Sequence, residues 1–281
     1  MRTVSYVSRR TMRRKGVLAL VGGTLFGRRS WHESSELPLV RRVTISHPDL
    51  PPAFDGLVVA QLADLHAGVF MLTERVARVR ALVEAAQPDL VVLTGDQLDR
   101  RDLDADAFVQ GLAGLEAPLG CFGVLGNHDH LAGRELSLAV LDAVGVASLV
   151  NERVTLRRGW DRMVLAGVDD LDAPAPGPDF SVATDPDGGF TLLLCHQPRG
   201  WEAARAAGAD VMLAGHTHGG QIALPTRGVN LARLQTPFLA GLYAEDGRLL
   251  YVSRGVGVGV VPVRLGSPPE VDILTLRRAT A

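Results

Sequence analysis

Leu90-Val-Val-Leu-Thr-Gly-Asp-Gln-Leu-Asp99 is the stretch on which the fold turns. Leu90–Thr94 is short, apolar and rich in Val and Leu, which suits a strand covered on both faces. It breaks at Gly95 into a polar loop carrying Asp96, Asp99 and Arg100. Working outward, the same pattern recurs. Leu57–Ala63 runs into Asp64 and His66, and Cys121–Leu125 runs into Asn127, His128 and Asp129. Phe190–Cys195 ends on His196, and Val211–Ala214 leads into Gly215-His-Thr-His218-Gly-Gly220. Met163–Val168 and Leu249–Ser253 are further buried strands. Between the early strands, Thr73–Ala86 places Val76, Val79, Leu82 and Val83 on one helical stripe, with Thr73 as its cap. Asp104–Leu115 and Arg134–Val144 are similar. Strand and helix alternate in the first half, which implies parallel strands with crossover helices. The second half is richer in strands. The expectation is an α/β sandwich of two facing sheets with helices outside.

Ligands of open α/β sheets bind at the carboxyl ends of strands. The polar residues of the five loops would therefore meet on one rim. Six of the eight histidines lie in these loops; only His32 and His47 do not. One histidine beside a strand is ordinarily structural, but five strand ends with the same Asp, Asn and His content are not a coincidence of packing. Phosphoryl transfer explains the set. Two metal ions about 3.5–4 Å apart can clamp the attacking and leaving oxygens of an in-line displacement. One shared carboxylate can hold the two cations together, while neutral imidazoles and amides keep the site positive for an anionic substrate.

The ordered motifs Asp64-x-His66, Gly95-Asp96-x-x-Asp99, Gly126-Asn127-His128-Asp129, a lone His196 and Gly215-His216-x-His218 resemble the calcineurin-like metallophosphoesterases. The resemblance spans about residues 55–276. Leu50-Pro-Pro-Ala-Phe-Asp-Gly56, Gly219-Gly-Gln221, Ser253-Arg-Gly255, Pro262-Val-Arg264 and Pro268-Pro-Glu270 resemble a bacterial exported or membrane-associated branch. The family implies a sandwich of two mixed β-sheets flanked by helices (αββα). It implies that Asp64, His66 and His218 hold one metal and Asn127, His196 and His216 the other. Asp96 would bridge both, together with a hydroxide that attacks phosphorus. His128 would donate a proton to the leaving oxygen, oriented by Asp99, and Asn127 and Arg100 would touch the phosphate. Asp129 is expected to organise its loop, His130 to be exposed, and Asp169 and Asp170 to form a turn. Arg254 and Arg264 are weaker candidates for receiving substrate charge. Gly215, Gly219 and Gly220 are expected to permit the tight turn around the two histidines. Mn, Fe, Zn or Ni suits the mixed oxygen and nitrogen donors, with Mn the first choice.

The implied activity is a phosphodiesterase or pyrophosphohydrolase, with a cell-envelope or lipid-linked phosphate as substrate. A phosphomonoesterase is the close alternative, and a metal-binding scaffold without catalysis the alternative from another class. Composition counts against a nuclease. Of 29 basic residues, eight fall within residues 1–31, which leaves 21 against 31 acidic ones, and phosphate-backbone binding needs cations. Aromatic residues, at 5%, are too few for a base-stacking platform. Cys121 and Cys195 sit in strands and match no metal or disulfide pattern.

Residues 1–30 stand apart. Ser8-Arg-Arg-Thr-Met-Arg-Arg-Lys15 precedes the apolar Gly16–Phe26, the layout of an export signal, with a partial twin-arginine match. Eleven apolar residues fall short of the about 20 that span a bilayer, and no small-x-small cleavage site follows. The segment is expected to be a signal or a short membrane anchor, which places the chain outside the cytoplasm or on the membrane; a cytoplasmic tail is the alternative. Residues 31–281 are expected to form a single domain.

Overall fold

The computed structural model describes residues 31–33, 37–99, 105–224, 229–234, 236–259 and 263–279. The signal or anchor expected over 1–30 lies outside them. So does Arg100. No helix of the described residues is long and apolar enough to cross a membrane.

Two six-stranded sheets face each other. The strands, in chain order, are β1 (Leu39–His47), β2 (Leu57–Leu62), β3 (Leu90–Thr94), β4 (Cys121–Val124), β5 (Ala147–Ser148) and β6 (Glu152–Arg158). They continue with β7 (Asp161–Gly167), β8 (Thr191–Leu194), β9 (Val211–Ala214), β10 (Gly241–Glu245), β11 (Arg248–Val252) and β12 (Glu270–Arg278). The first sheet runs β1-β12-β2-β3-β4-β5 and the second β10-β11-β9-β8-β7-β6. Strands β2 to β5 are parallel, as the alternation with helices requires. The helices are α1 (Thr73–Ala85), α2 (Ala105–Leu112), α3 (Asn127–Ala132), α4 (Arg134–Ala143) and α5 (Trp201–Ala206).

The apolar strands are uninterrupted because both of their faces are buried. Successive side chains alternate between two cores. On β3, Leu90 and Val92 join the core between the sheets, while Val91 and Leu93 pack under the helices. On β8 and β9, Leu192, Leu194, Val211 and Leu213 face the first sheet, and Leu193 and Met212 pack against Trp201 and Ala204 of α5. The layers are therefore helix, sheet, sheet, helix, as expected. Cys121 and Cys195 are free and buried, and burial pushes their thiols up to about 11 and about 12, so both are inert at neutral pH.

One expectation needs correction. Thr73 does not cap α1. It is the first residue inside the helix, the capping position is Leu72 in extended conformation, and no side chain caps the turn. Met71, just before Leu72, is buried in the helix-side core.

Two polar ties hold the sheets in register near their carboxyl ends. Gln61, fully buried on β2, donates through Nε2 to Thr94 Oγ1 (3.1 Å) and across the sheets to the Ala214 carbonyl (3.0 Å). The last strand, β12, lies between β1 and β2, parallel to one and antiparallel to the other. Its Asp272 accepts from Tyr251 Oη (2.6 Å) and Ser253 Oγ (2.5 Å) of the opposite sheet.

Candidate metal centre

Beyond β2 and β3 the two chains stay paired as they leave the sheet. Asp64 N donates to Gly95 O (3.0 Å) and His66 N to Asp96 O (2.9 Å). This fixes the two loops against each other. The backbone is held in the left-handed region at Asp64 (φ 51°), His66 (φ 45°), Asp96 (φ 55°), His216 (φ 71°) and His218 (φ 52°). Such conformations cost about 1–3 kcal/mol each in non-glycine residues and persist only where the surroundings impose them. In the Gly215–Gly220 turn Gly219 (φ 60°) and Gly220 (φ 91°) take left-handed conformations as expected, and the strain falls on the two histidines. Gly215 has a different use: a Cβ there would lie 2.6 Å from Asp64 Oδ2. Gly126 likewise leaves room for Asp96 and for His196 Nε2, which a Cβ would meet at 2.8 Å.

The five loops deliver their side chains to one place. The donor atoms of Asp64, His66 and His218 lie within 4.8 Å of one another, and so do those of Asp96, His196 and His216. His66 Nε2 and His218 Nε2 are 3.1 Å apart, and His218 Nε2 is 3.7 Å from Asp64 Oδ1. In the second group His216 Nδ1 is 3.2 Å from His196 Nε2, and Asn127 Oδ1 lies 3.2 and 3.1 Å from these two nitrogens. Asp96 stands between the groups. Its Oδ2 is 3.5 Å from His66 Nε2 and 3.4 Å from His196 Nε2. Its Oδ1 accepts the backbone N–H of His128 (2.9 Å).

A surrounding layer orients these side chains. His196 Nδ1 donates to Thr94 O (2.8 Å), leaving Nε2 free to face the cluster. Asp64 accepts the His216 backbone N–H on both oxygens (2.9 and 3.0 Å). His128 Nδ1 lies 2.7 Å from the Asp99 carbonyl and 3.4 Å from Asp99 Oδ1, and the same carboxylate is 3.7 Å from His66 Nδ1. Asp99 is therefore placed to orient two rings. Asp129, fully buried, accepts from Leu98 N (3.0 Å) and Gly126 N (2.9 Å), organising its loop as expected.

Three other residues differ from expectation. Arg264 does not face substrate. It is buried, donates to His218 Nδ1 (3.0 Å), and spends its remaining donors on the carbonyls of Gly257 and Arg254. Arg254 is tied to Glu270 through Nη1 (2.8 Å) and its own backbone N–H (2.8 Å). His130 is not exposed: its Nε2 pairs with Asp169 Oδ1 at 2.7 Å, and Asp169 and Asp170 are both buried. No periodic or motif signal marks that pairing, because its partners are 39 residues apart.

The electrostatics follow from packing carboxylates and imidazoles together away from water. Burial opposes charge on His196, but Asp96 and Asp64 outweigh it and raise the ring to about 10. Burial lowers His216 to about 3, aided by the charge of His196. Burial also works against charging His128, yet Asp99 and Asp96 prevail, so it holds its proton above the ordinary histidine range. Asp99 is correspondingly lowered; the His128 and His66 rings overcome the effect of its burial. Two carboxylates, an amide oxygen and four imidazoles, with ring nitrogens 3.1–3.2 Å apart within each group, form a mixed oxygen and nitrogen donor set that suits divalent cations.

A fold of this kind with such a cluster at its strand ends is that of a metal-dependent phosphoesterase. The family model of the calcineurin-like phosphoesterases matches residues 57–220, and the chain belongs to that family. It is 36% identical to an uncharacterized metallophosphoesterase of Aquifex aeolicus (strain VF5), over 85% of this chain and 91% of the relative. It is 32% identical to phosphodiesterase YaeI of Escherichia coli (strain K12), over 96% of this chain and 99% of the relative. It is 28% identical to UDP-2,3-diacylglucosamine pyrophosphatase LpxG of Chlamydia trachomatis, over 84% of this chain and 89% of the relative. The chain is thus a hydrolase of phosphate esters from a metal-dependent family.

Proposed function

We propose that the protein is a two-metal phosphodiesterase or pyrophosphohydrolase. The observation that carries this reading is Asp96, one of whose oxygens lies between two separate donor groups at 3.5 and 3.4 Å. Asp64, His66 and His218 would hold one ion, and Asn127, His196 and His216 the other, with Asp96 shared. Two such ions supply Lewis acidity to the phosphoryl group and an activated water for in-line attack.

The chain's own residues do the rest. Asn127 offers its amide to the phosphoryl oxygens as well as to a metal. His128 belongs to neither of these two groups, although its ring lies within 4.8 Å of donor atoms of His66 and Asp96; with its pKa held above the ordinary histidine range, it serves as general acid toward the leaving oxygen. Asp99 holds that ring in place and favours its charged form. Arg100 is proposed as a phosphate contact on motif position alone. The names of YaeI and LpxG, a phosphodiesterase and a pyrophosphatase, favour diester chemistry over monoester hydrolysis. The layout of residues 1–30 supports export or membrane attachment, and so a phosphate ester of the cell envelope.

The test is hydrolysis of an aryl phosphodiester and the matching monoester by the full chain, with and without Mn. Metal-dependent diester turnover that vanishes in Asp96→Asn supports the proposal. Turnover of the monoester alone makes the protein a phosphatase. No turnover of either ester or of a diaryl pyrophosphate, in protein carrying two metals, sinks the reading in favour of a scaffold.

A further inference from the structure

Asp172, Gln197 and Arg199 belong to neither donor group, yet they share a cavity of about 430 Å³ with Asn127 and His216, which do. Thr236 closes another part of its wall. The volume falls within the about 300–1,000 Å³ usual for small-ligand sites, and it exceeds what one phosphoryl group fills.

Arg199 is the sole cation among the described residues of this lining. It is half exposed, and a surface arginine in that position ordinarily swings freely. Here it is braced from beneath. Gln197, 1% exposed, accepts from Arg199 Nε through Oε1 (2.6 Å). The amide of Gln197 is itself fixed, donating to Asp170 Oδ1 (2.8 Å), Asp170 Oδ2 (2.9 Å) and Asp172 Oδ2 (2.9 Å). Asp170 is likewise buried, at 1% exposure. Arg199 Nη2 donates to Asp172 Oδ1, a carboxylate at the cavity mouth with 59% of its side chain exposed. Two buried residues thus hold a guanidinium beside the donor cluster, with a solvent-facing carboxylate as an exchangeable partner. A planar guanidinium fixed in this way suits two oxygens of a phosphate.

We infer that this cavity receives the second phosphoryl group of a pyrophosphate diester, with Arg199 as the anion receptor that displaces Asp172 when substrate binds. The inference rests on the phosphoesterase reading and narrows it to P–O–P substrates. The reaction balances without another reactant. Water adds to the phosphorus at the donor cluster, the bridging P–O bond breaks, and the bridging oxygen takes a proton from His128. The products are two phosphate monoesters. Arg199 is a binding residue, and it lowers the cost of bringing a second negative charge into a rim that already carries Asp172.

The experiment compares kcat/KM of the metal-loaded full chain on a diaryl pyrophosphate and on the matching diaryl phosphodiester, for wild type, Arg199→Ala and Arg199→Lys. A charge-assisted pair is worth about 1.5–3 kcal/mol, so Arg199→Ala is expected to lower kcat/KM on the pyrophosphate by about 10–150-fold, mainly through KM. The loss on the phosphodiester should be at least tenfold smaller, and Arg199→Lys should recover part of the difference. Equal losses on both substrates with metal content intact would make Arg199 a support of the rim and overturn the inference. Wild-type turnover of the phosphodiester without the pyrophosphate would overturn it too, leaving the phosphoesterase reading standing. If wild type turns over neither, both fall together.

Discussion

Replacing His128 with alanine separates proton donation from metal binding. The His128 side chain belongs to the rim, but its backbone N–H is what holds Asp96 Oδ1, at 2.9 Å. Alanine keeps that bond. Asp96 Oδ2 and the other donors are untouched, so the variant should retain its metals. It loses the ring that Asp99 holds through a 2.7 Å contact from its carbonyl and a 3.4 Å contact from its carboxylate. General acid catalysis is typically worth about 10²–10⁴-fold. At about 1.36 kcal/mol per factor of ten, the loss corresponds to about 2.7–5.4 kcal/mol of transition-state stabilisation. The size depends on the leaving group. An alkoxide needs the proton and should show the full loss; a 4-nitrophenolate does not and should lose little. The assay is kcat on an alkyl aryl series of phosphodiesters, with metal per chain measured on the same samples. The raised pKa of His128 adds a second readout: with the alkyl substrate, the alkaline fall in wild-type rate should lie above pH 6.5 and be absent from the variant. Equal losses across the series, or metal lost along with the ring, would refute the proton-donor role.

Other perturbations test the surrounding structure. Asp96→Asn removes the charge shared between the donor groups, and metal per chain, measured by elemental analysis after gel filtration, should fall sharply. Arg264→Met removes a buried guanidinium that bonds His218 Nδ1 and the carbonyls of Gly257 and Arg254; each buried acceptor left unpaired costs about 1–3 kcal/mol, so Tm should fall, read by calorimetry. Burial, followed by the nearby Glu270, raises Asp272 to about 7. A raised carboxylate contributes stability that is present below its unfolded pKa and is lost as pH rises through about 7. Asp272→Asn, which mimics the protonated form, should therefore raise Tm at pH 8 relative to wild type and change it little at about pH 4, the unfolded carboxylate's own pKa. An equal shift at both pH values would show that the carboxylate titrates elsewhere.

The donor cluster was largely legible because each of its residues follows an apolar strand whose end is marked by a glycine or a short polar loop. Asp64, His66, Asp96, Asn127, His128, His196, His216 and His218 were all placed from that pattern, and seven strands were found from their two-faced burial. Strand β12 escaped for a physical reason: Glu270 and Asp272 interrupt its apolar run, yet both are buried and hydrogen-bonded across to the other sheet. The role of Arg264 was hidden in the same way, since a guanidinium satisfied by backbone carbonyls leaves no periodic trace. Arg199 follows His196-Gln-Pro without a motif, and only the folded chain sets it against Asp172 and beside His216. Local propensity misplaced the α1 cap by one residue: the capping position is Leu72, whose side chain can accept no hydrogen bond.

The position of β12 bears on how the protein is made. It lies second from the edge of the first sheet, separating β1 from β2, but it leaves the ribosome after every other strand of the two sheets. At about 5–20 residues per second, the chain waits on the order of ten seconds between emergence of β2 and of its neighbour. Until then β1 and β2 each present an unpaired edge, and the links from Glu270 to Arg254 and from Asp272 to Tyr251 and Ser253 cannot form. Those links are therefore completed only after β12 emerges, and a nascent chain that has not reached it, although it already contains every residue of the donor cluster, lacks this tie between the two sheets.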